Sequence, residues 1–313
     1  MLVSLAAALV AAVCYGTGAV MQAMAVRAAS RRPAEDAASV DPGLVLRMLG
    51  QWRFLVSLLI DLLGFVCQVI ALRRLPVFEV QVIIAANLAV TAVLAAWLLH
   101  VGLSMREWLA VLAVVIGVGL VGSSAGSQGP AAVGANFHLA LIASLAAIAA
   151  GGMAAARLPR HIRTPVLGAI AGLGYGVLAI CARILHGFQP AYLIRSPAAY
   201  TLAAAGIVSF FLYATALESG SVTVATASVI LAETVPPAIV GVLLLGDTTR
   251  PGWAGLAAAG FVVALASAIA LARFGEGGSE PHPQAERYRQ TQHAGGPSGA
   301  PDQAGVPARR NIG

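Results

Sequence analysis

Nine apolar runs, each long enough to form a membrane-crossing helix, account for most of the chain. They occupy residues 2–26, 52–73, 76–99, 107–125, 135–156, 165–185, 198–217, 221–245 and 252–273. About 20 apolar residues in an α-helix cross the roughly 30 Å of hydrocarbon in a bilayer. The pattern therefore predicts an all-α fold, a polytopic membrane helix bundle of about nine transmembrane helices, which we number as spans one to nine.

The polar segments between the runs are short at two places and long at the C-terminus. Only residues 73–76 separate spans two and three, and only residues 218–220 separate spans seven and eight, so both pairs must reverse tightly. From residue 274 onward the chain is mainly Gly, Pro, Gln, Arg and Glu. Such a segment buries too little apolar surface to fold, so 274–313 is predicted to be a disordered cytoplasmic tail.

The apolar pattern occurs twice along the chain. Residues 71–108 align with 216–253 at a constant offset of 145, and residues 14–16 align with 174–176 at an offset of 160. The predicted layout is 4+1+4, with a first repeat (1–126), a linker helix and loop (127–163) and a second repeat (164–273). Because one linker span separates the copies, the two four-helix repeats are inverted relative to the membrane, an arrangement common in secondary transporters.

Composition agrees with a membrane location. The chain is 59% apolar and 10% charged, with a mean hydropathy of +0.85, whereas soluble domains carry about 25% charged residues. All 19 basic residues are Arg, a bias typical of high-GC bacteria. These arginines gather at the ends of the apolar runs, which favours membrane topology over nucleic-acid binding.

The arginine distribution also predicts an orientation. With the N-terminus outside, the cytoplasmic segments before the tail hold ten arginines and the outer segments hold five. Because positive residues concentrate on the cytoplasmic side, we expect a multi-pass protein of the inner (plasma) membrane with its N-terminus outside and its C-terminus in the cytoplasm.

Several short motifs resemble the drug/metabolite transporter (DMT) superfamily. They are CYGTG at 14–18, QVIAL with the following Pro-Val at 68–77, ALESGSVTVA at 216–225, ETVPP at 233–237 and LGD at 245–247. The resemblance extends over about 2–273 and implies transport by an inner-membrane helix bundle.

Two branches of the superfamily remain open. The EamA-like branch has ten spans, but residues 27–50 are too polar to supply the extra one. A nine-span layout is more similar to the NIPA-like magnesium transporters. Both branches imply an acidic residue at the end of the third span, where this chain has His100 nearby instead.

Two acidic residues inside apolar runs are candidates for cation or proton coupling, since ionisable groups in hydrocarbon are costly and usually functional. Glu233 lies in the middle of span eight, just before Pro236 and Pro237. Prolines remove backbone donors and thereby expose carbonyls in the preceding turn. Asp61 lies in span two on the same helix face as Gln68. The alternative for both acids is a structural role at a kink or an interface.

Other polar residues in the spans are candidates for lining a substrate cavity. These are Tyr15 and Gln22 in span one, Gln68 in span two, Asn87 in span three and Tyr175 in span six. Tyr175 aligns with Tyr15 in the repeat. Packing against neighbouring helices is the competing interpretation for the tyrosines.

The sequence predicts a DMT-type secondary transporter that moves a small solute, such as a metabolite, an amine or a drug-like molecule, by alternating access. The alternatives are a NIPA-like transporter for magnesium or another divalent cation and a non-transporting scaffold subunit for envelope assembly. No phosphate loop, HExxH or CxxC motif occurs, so we expect neither an enzyme nor a cofactor. The expected partners are the lipid bilayer and the solute or ion, without nucleic acid, and a homodimer is compatible with the sequence.

Overall fold

The computed structural model describes residues 2–29, 52–99, 103–129, 133–185, 187, 189–219 and 222–277. Residues 2–275 fall within one compact unit. The predicted tail and His100 lie outside the described residues, apart from the end of the last helix.

Within those ranges the structure is almost entirely α-helical. The helices are Leu2–Ala29, Trp52–Leu72, Val77–Ala85, Asn87–Leu99, Met105–Ser124, Ala135–Ala155, Arg160–Ile184, Pro190–Leu193, Pro197–Ser219, Val222–Leu243 and Ala254–Gly277. Among the described residues nine spans are long and apolar enough to cross a membrane, and their bounds agree with the nine predicted runs to within a few residues. The predicted polytopic helical bundle is confirmed.

Span three differs from the prediction because it is interrupted. The helix Val77–Ala85 ends at a turn at Ala86, and a second helix starts at Asn87. The backbone N–H of Ala86 bonds to Ile83 O at 3.1 Å, three residues back, so the chain tightens there before the α-helix resumes. Span one approaches the break closely, since a Cβ atom built at Gly16 would lie 2.8 Å from Asn87 O.

The two repeats pack in the same way. Span one contacts spans two and three, and span six contacts spans seven and eight. In the first repeat Gln68 Nε2 donates to Gln81 Oε1 at 3.4 Å, which joins spans two and three. At the positions 145 residues later, the hydroxyls of Tyr213 and Thr226 lie 3.0 Å apart and join spans seven and eight. The sequence repeat is therefore also a repeat of contacts.

At one helix contact that occurs in both repeats, the glycine lies on a different helix of the pair in each repeat. In the first repeat the side chain of Cys14 lies against Gly64, where a built Cβ would be 3.0 Å from that of Cys14. In the second repeat the equivalent pair is Gly174 and Ser209, and here the serine side chain fills the space beside the glycine. Each pair thus contains one glycine, but on opposite helices.

Candidate functional site

The backbone carbonyl of Glu233 is the first element of the candidate site. In an α-helix this carbonyl would accept a hydrogen bond from the residue four positions later, which is Pro237 and has no N–H. The side chain of Gln81 replaces the missing donor, because its Nε2 donates to Glu233 O at 2.5 Å. The carbonyl that lacks a backbone donor before the two prolines thus has a side-chain donor, and that donor comes from the other repeat.

Gln81 connects Glu233 to two of the predicted cavity residues. Its Oε1 accepts a hydrogen bond from Gln68, and Tyr15 OH donates to Gln68 Oε1 at 2.7 Å. Gln68 and Gln81 are buried, whereas Tyr15 is half-buried. A continuous polar chain thus runs from span one through spans two and three to the centre of span eight.

Three tyrosines lie within electrostatic range of the Glu233 carboxylate. Tyr15, Tyr175 and Tyr213 each interact electrostatically with Glu233. They come from spans one, six and seven and therefore from both repeats. All three tyrosines and Glu233 are half-buried. The arrangement places one acidic group among aromatic side chains, which can attract a cation through their ring faces.

The second carboxylate, Asp61, lies in a different contact. Gln22 Nε2 donates to Asp61 Oδ2 at 2.5 Å, which joins spans one and two. The carboxylate fits there because Gly18 has no side chain, since a Cβ atom at that position would overlap Asp61 Oδ1. Tyr15 and Tyr175 also interact electrostatically with Asp61, so the two carboxylates share two aromatic neighbours.

The described geometry gives Asn87 a structural contact through its backbone. Thr91 Oγ1 donates to Asn87 O at 2.8 Å and to Gly16 O at 3.3 Å. At the equivalent place in the second repeat, a Cβ atom built at Gly176 would lie 3.8 Å from Ala232 O. Asn87 O thus accepts a hydrogen bond from Thr91 in the first repeat. The equivalent carbonyl in the second repeat, that of Ala232, lies four residues before Pro236, which has no N–H to donate.

These contacts join helices of two repeats around polar groups at the middle of an apolar bundle, and the first repeat can be compared with known families. Residues 41–123 match the model of the EamA-like transporter family. The predicted resemblance to the DMT superfamily is confirmed for this segment. The searches of curated proteins and of solved structures gave no significant match.

The EamA-like segment contains part of the candidate site. Asp61, Gln68, Gln81 and Asn87 lie within it, whereas Tyr15, Gln22, Tyr175 and Glu233 lie outside. The match therefore indicates a DMT-type membrane transporter and leaves the role of each residue as a prediction.

Gln81 and Tyr213 were not among the predicted site residues. Gln81 lies near the start of span three, where the sequence alone predicts an interfacial residue. The repeat is the sequence signal that identifies them, because Gln81 aligns with Thr226 and Tyr213 aligns with Gln68 at the same offset of 145. Polar residues at both aligned positions of an apolar span indicate a preserved contact.

Two open grooves in the described part of the chain have no candidate site residue in their lining. One, of about 460 Å³, is lined by Arg195, Tyr200 and apolar residues of spans five and seven. The other, of about 470 Å³, is lined by apolar residues of spans three and four and by Trp97. Within the described ranges no group of three His, Cys, Asp or Glu side chains is arranged to hold a metal ion.

Proposed function

We propose that the protein is a DMT-type secondary transporter that moves a small solute with a cationic amine across the inner membrane by alternating access. Glu233 is its central binding group, and Asp61 is a second coupling carboxylate. The observation that carries this proposal is the position of Glu233, in the middle of span eight and among tyrosines of both repeats.

The charge arrangement favours a cationic solute. A carboxylate in an apolar bundle is costly as a free anion, so it needs a proton or a bound cation. Tyrosine ring faces attract cations, and the electron-rich faces of Tyr15, Tyr175 and Tyr213 add to the attraction of the carboxylate. An amine and a proton therefore compete for Glu233, and this competition couples the flux of one to that of the other.

The repeats supply a physical basis for alternating access. The Gln81 amide holds the freed Glu233 carbonyl, so the polar contact crosses from the first repeat to the second at the level of the carboxylate. Movement of one repeat against the other changes the access to Glu233 from the two faces while the acid stays near the middle of span eight.

Divalent-cation transport is the second candidate, and the oxygen atoms around Glu233 are the observation that favours it. The Glu233 carboxylate and the nearby Ala232 carbonyl are hard oxygen ligands, and Mg²⁺ retains several waters and needs few protein ligands. A scaffold role remains the third alternative and requires no flux at all. The experiment below separates the three.

The test uses purified protein in vesicles with an imposed proton gradient. A panel of small primary and quaternary amines, a matched panel of neutral and anionic metabolites, and Mg²⁺ are assayed separately. We expect an amine to move with the gradient in the wild type, and Glu233→Gln to reduce that flux to the level of empty vesicles. Exchange of labelled for unlabelled amine should fall as well, since the substitution removes the charge that binds the amine.

Asp61→Asn is the matched control, since it also removes one carboxylate charge and keeps an amide of similar shape. Its defect should be equal to or smaller than that of Glu233→Gln. Gradient-driven flux at the wild-type rate in Glu233→Gln would contradict the coupling role. Flux of Mg²⁺ alone would favour the second candidate, and no flux of any solute would favour the scaffold.

A further inference from the structure

A buried ion pair joins two segments of the second repeat at one face of the bundle. Arg183 lies in the last turn of span six, and Asp247 lies in the loop after span eight. Arg183 Nη2 is 3.7 Å from Asp247 Oδ1, and the two side chains are 4% and 0% exposed. This pair is outside the group around Glu233 and takes no part in the proposed binding of the solute.

Asp247 also binds the first half of the chain. The backbone N–H of Val77, at the start of span three, donates to Asp247 Oδ2 at 2.6 Å, and that of Gly129 donates to Oδ1 at 3.3 Å. Arg183 Nη2 donates to Gly129 O at 2.9 Å. Burial raises the pKa of Asp247, and the hydrogen bonds from Val77 and Gly129 and the charge of Arg183 oppose that rise.

The loops beside the ion pair are joined by backbone hydrogen bonds, which we call the loop seam (residues 124–129 with 246–250). Gly126 N donates to Thr248 O at 3.1 Å, and Thr248 N donates to Ser127 O at 3.0 Å. Arg250 N donates to Ser124 O at 3.0 Å. The seam therefore connects the end of span four with the end of span eight.

Directly below the seam, spans three and eight are in apolar contact. Ala238 is 7% exposed and packs in a cluster with Phe78 and Val82. Gly241, one turn further along span eight, approaches Val77, and a Cβ atom at Gly241 would lie 3.0 Å from both Val77 Cβ and Asp247 Oδ2. This layer separates the loop seam from Glu233, five residues before Ala238.

We propose that Arg183 and Asp247 form the gate that closes this face of the transporter, so that the pair must separate before Glu233 becomes accessible from that side. This inference rests on the proposed function, because it assigns the residues that control access to its binding group. On the predicted topology the gate is on the outer face.

An ion pair suits a gate because its two states are close in free energy. Burial removes water from both charges, and this cost offsets much of their attraction. When the face opens, the two charged groups separate and are hydrated again. The backbone hydrogen bonds to Asp247 then make the closed face the more stable state. Removal of the Asp247 charge should therefore shift the equilibrium toward the open face.

The first test measures access without transport. Ala238→Cys is introduced into a chain whose native Cys14, Cys67 and Cys181 are replaced by alanine, and a membrane-impermeant maleimide is added to one side at a time. Asp247→Asn should raise labelling from the gate side by about tenfold or more, since hydrogen bonds to a charged group stabilise one state by enough for such a shift. Arg183→Lys, which keeps the charge, should change it less.

The second test locks the gate. Ser127 and Thr248 are exposed, and their hydroxyl oxygens lie 3.0 Å apart, so cysteines at both positions can form a disulfide across the seam. The oxidised double variant should lose net amine flux, and reduction should restore it. Each single cysteine variant is the control for oxidation itself.

The outcomes separate the gate from the proposed function. Unchanged labelling in Asp247→Asn, or full flux with the disulfide closed, overturns the gate whether or not the protein transports amines. Labelling that follows the predicted pattern in a protein that carries no solute refutes the proposed function and keeps Arg183 and Asp247 as the residues that open this face.

Discussion

The two repeats share their contacts and differ in their charges. Tyr15 corresponds to Tyr175, and the Gln68–Gln81 contact corresponds to that of Tyr213 with Thr226. Asp61, however, aligns with Gly206 in the second repeat, and Glu233 aligns with Leu88 in the first. The repeated sequence therefore builds a common scaffold, while each repeat contributes one of the two candidate coupling carboxylates.

The contact at Asp61 shows how such a difference is accommodated. In the first repeat Gly18 leaves room for Asp61. In the second repeat the equivalent of Gly18 is Leu178, whose Cδ1 would lie 3.2 Å from a Cβ atom built at Gly206. The large side chain has moved to the opposite helix, so the distance between helices is preserved while the acid is lost.

The two membrane faces differ in the same way. Arg183 and Asp247 align with Ala23 and Gly102, so the first repeat lacks both charges at the positions that would mirror the gate. The proposed gate therefore belongs to one face only, and the bundle is asymmetric in chemistry although its helix packing is repeated.

The largest expected effect comes from changing the Gly18–Asp61 contact. Gly18→Leu should destabilise the protein by about 3 kcal/mol or more, because the new side chain enters space that Asp61 occupies. The double variant Gly18→Leu/Asp61→Gly reproduces the Leu178–Gly206 pair of the second repeat. We expect it to recover most of the melting temperature in detergent and to remain deficient in proton-coupled flux.

Gly119→Leu is the matched control, because a Cβ atom there meets nothing within 4 Å. It should melt like the wild type. If the double variant is no more stable than Gly18→Leu alone, the Leu–Gly pair of the second repeat does not fit the helix contact of the first repeat.

A smaller effect is expected at the carbonyl of Glu233. Gln81→Leu should cost about 1–3 kcal/mol, because it leaves a buried acceptor without a donor. Pro237→Ala restores a backbone N–H and installs the residue found at the equivalent position of the first repeat, Ala92. In that background Gln81→Leu should cost about 1 kcal/mol less.

The four proteins of this double-mutant cycle are compared by thermal melting in one detergent. Equal costs of Gln81→Leu in both backgrounds would show that the Gln81 amide does not serve as the substitute donor for the Glu233 carbonyl.

No effect is expected from removal of the tail. Residues after 277 contain few large apolar side chains and lie outside both repeats. A chain that ends at Gly277 should insert into membranes and carry solute at the wild-type rate, as measured by membrane fractionation and vesicle flux. Loss of flux with normal insertion would indicate a docking or regulatory segment.

The sequence was sufficient to predict the spans and the repeat. Apolar runs of about 20 residues define membrane helices directly, so all nine predicted runs correspond to helices in the described residues. The freed carbonyl before Pro236 and Pro237 was also predictable, because it follows from the missing N–H of proline.

The partners of the polar groups were not predictable in the same way. The donor to Glu233 O is Gln81, 152 residues away, and only the packing of spans three and eight brings them together. The position of Asp61 likewise depends on the absence of a side chain at Gly18. Neither proline nor glycine is present around Ala86, and Asn87 is the local residue that favours a turn there.

The opposite placement of glycine in the Cys14–Gly64 and Gly174–Ser209 contacts has a consequence for how such a protein can evolve or be recombined. A single helix transferred from one repeat to the other would bring glycine against glycine or side chain against side chain. Spans one and two transferred together in place of spans six and seven would keep a matched contact. The heritable unit of this bundle is therefore the helix pair, and a chimera that divides such a pair loses the fit that both parents possess.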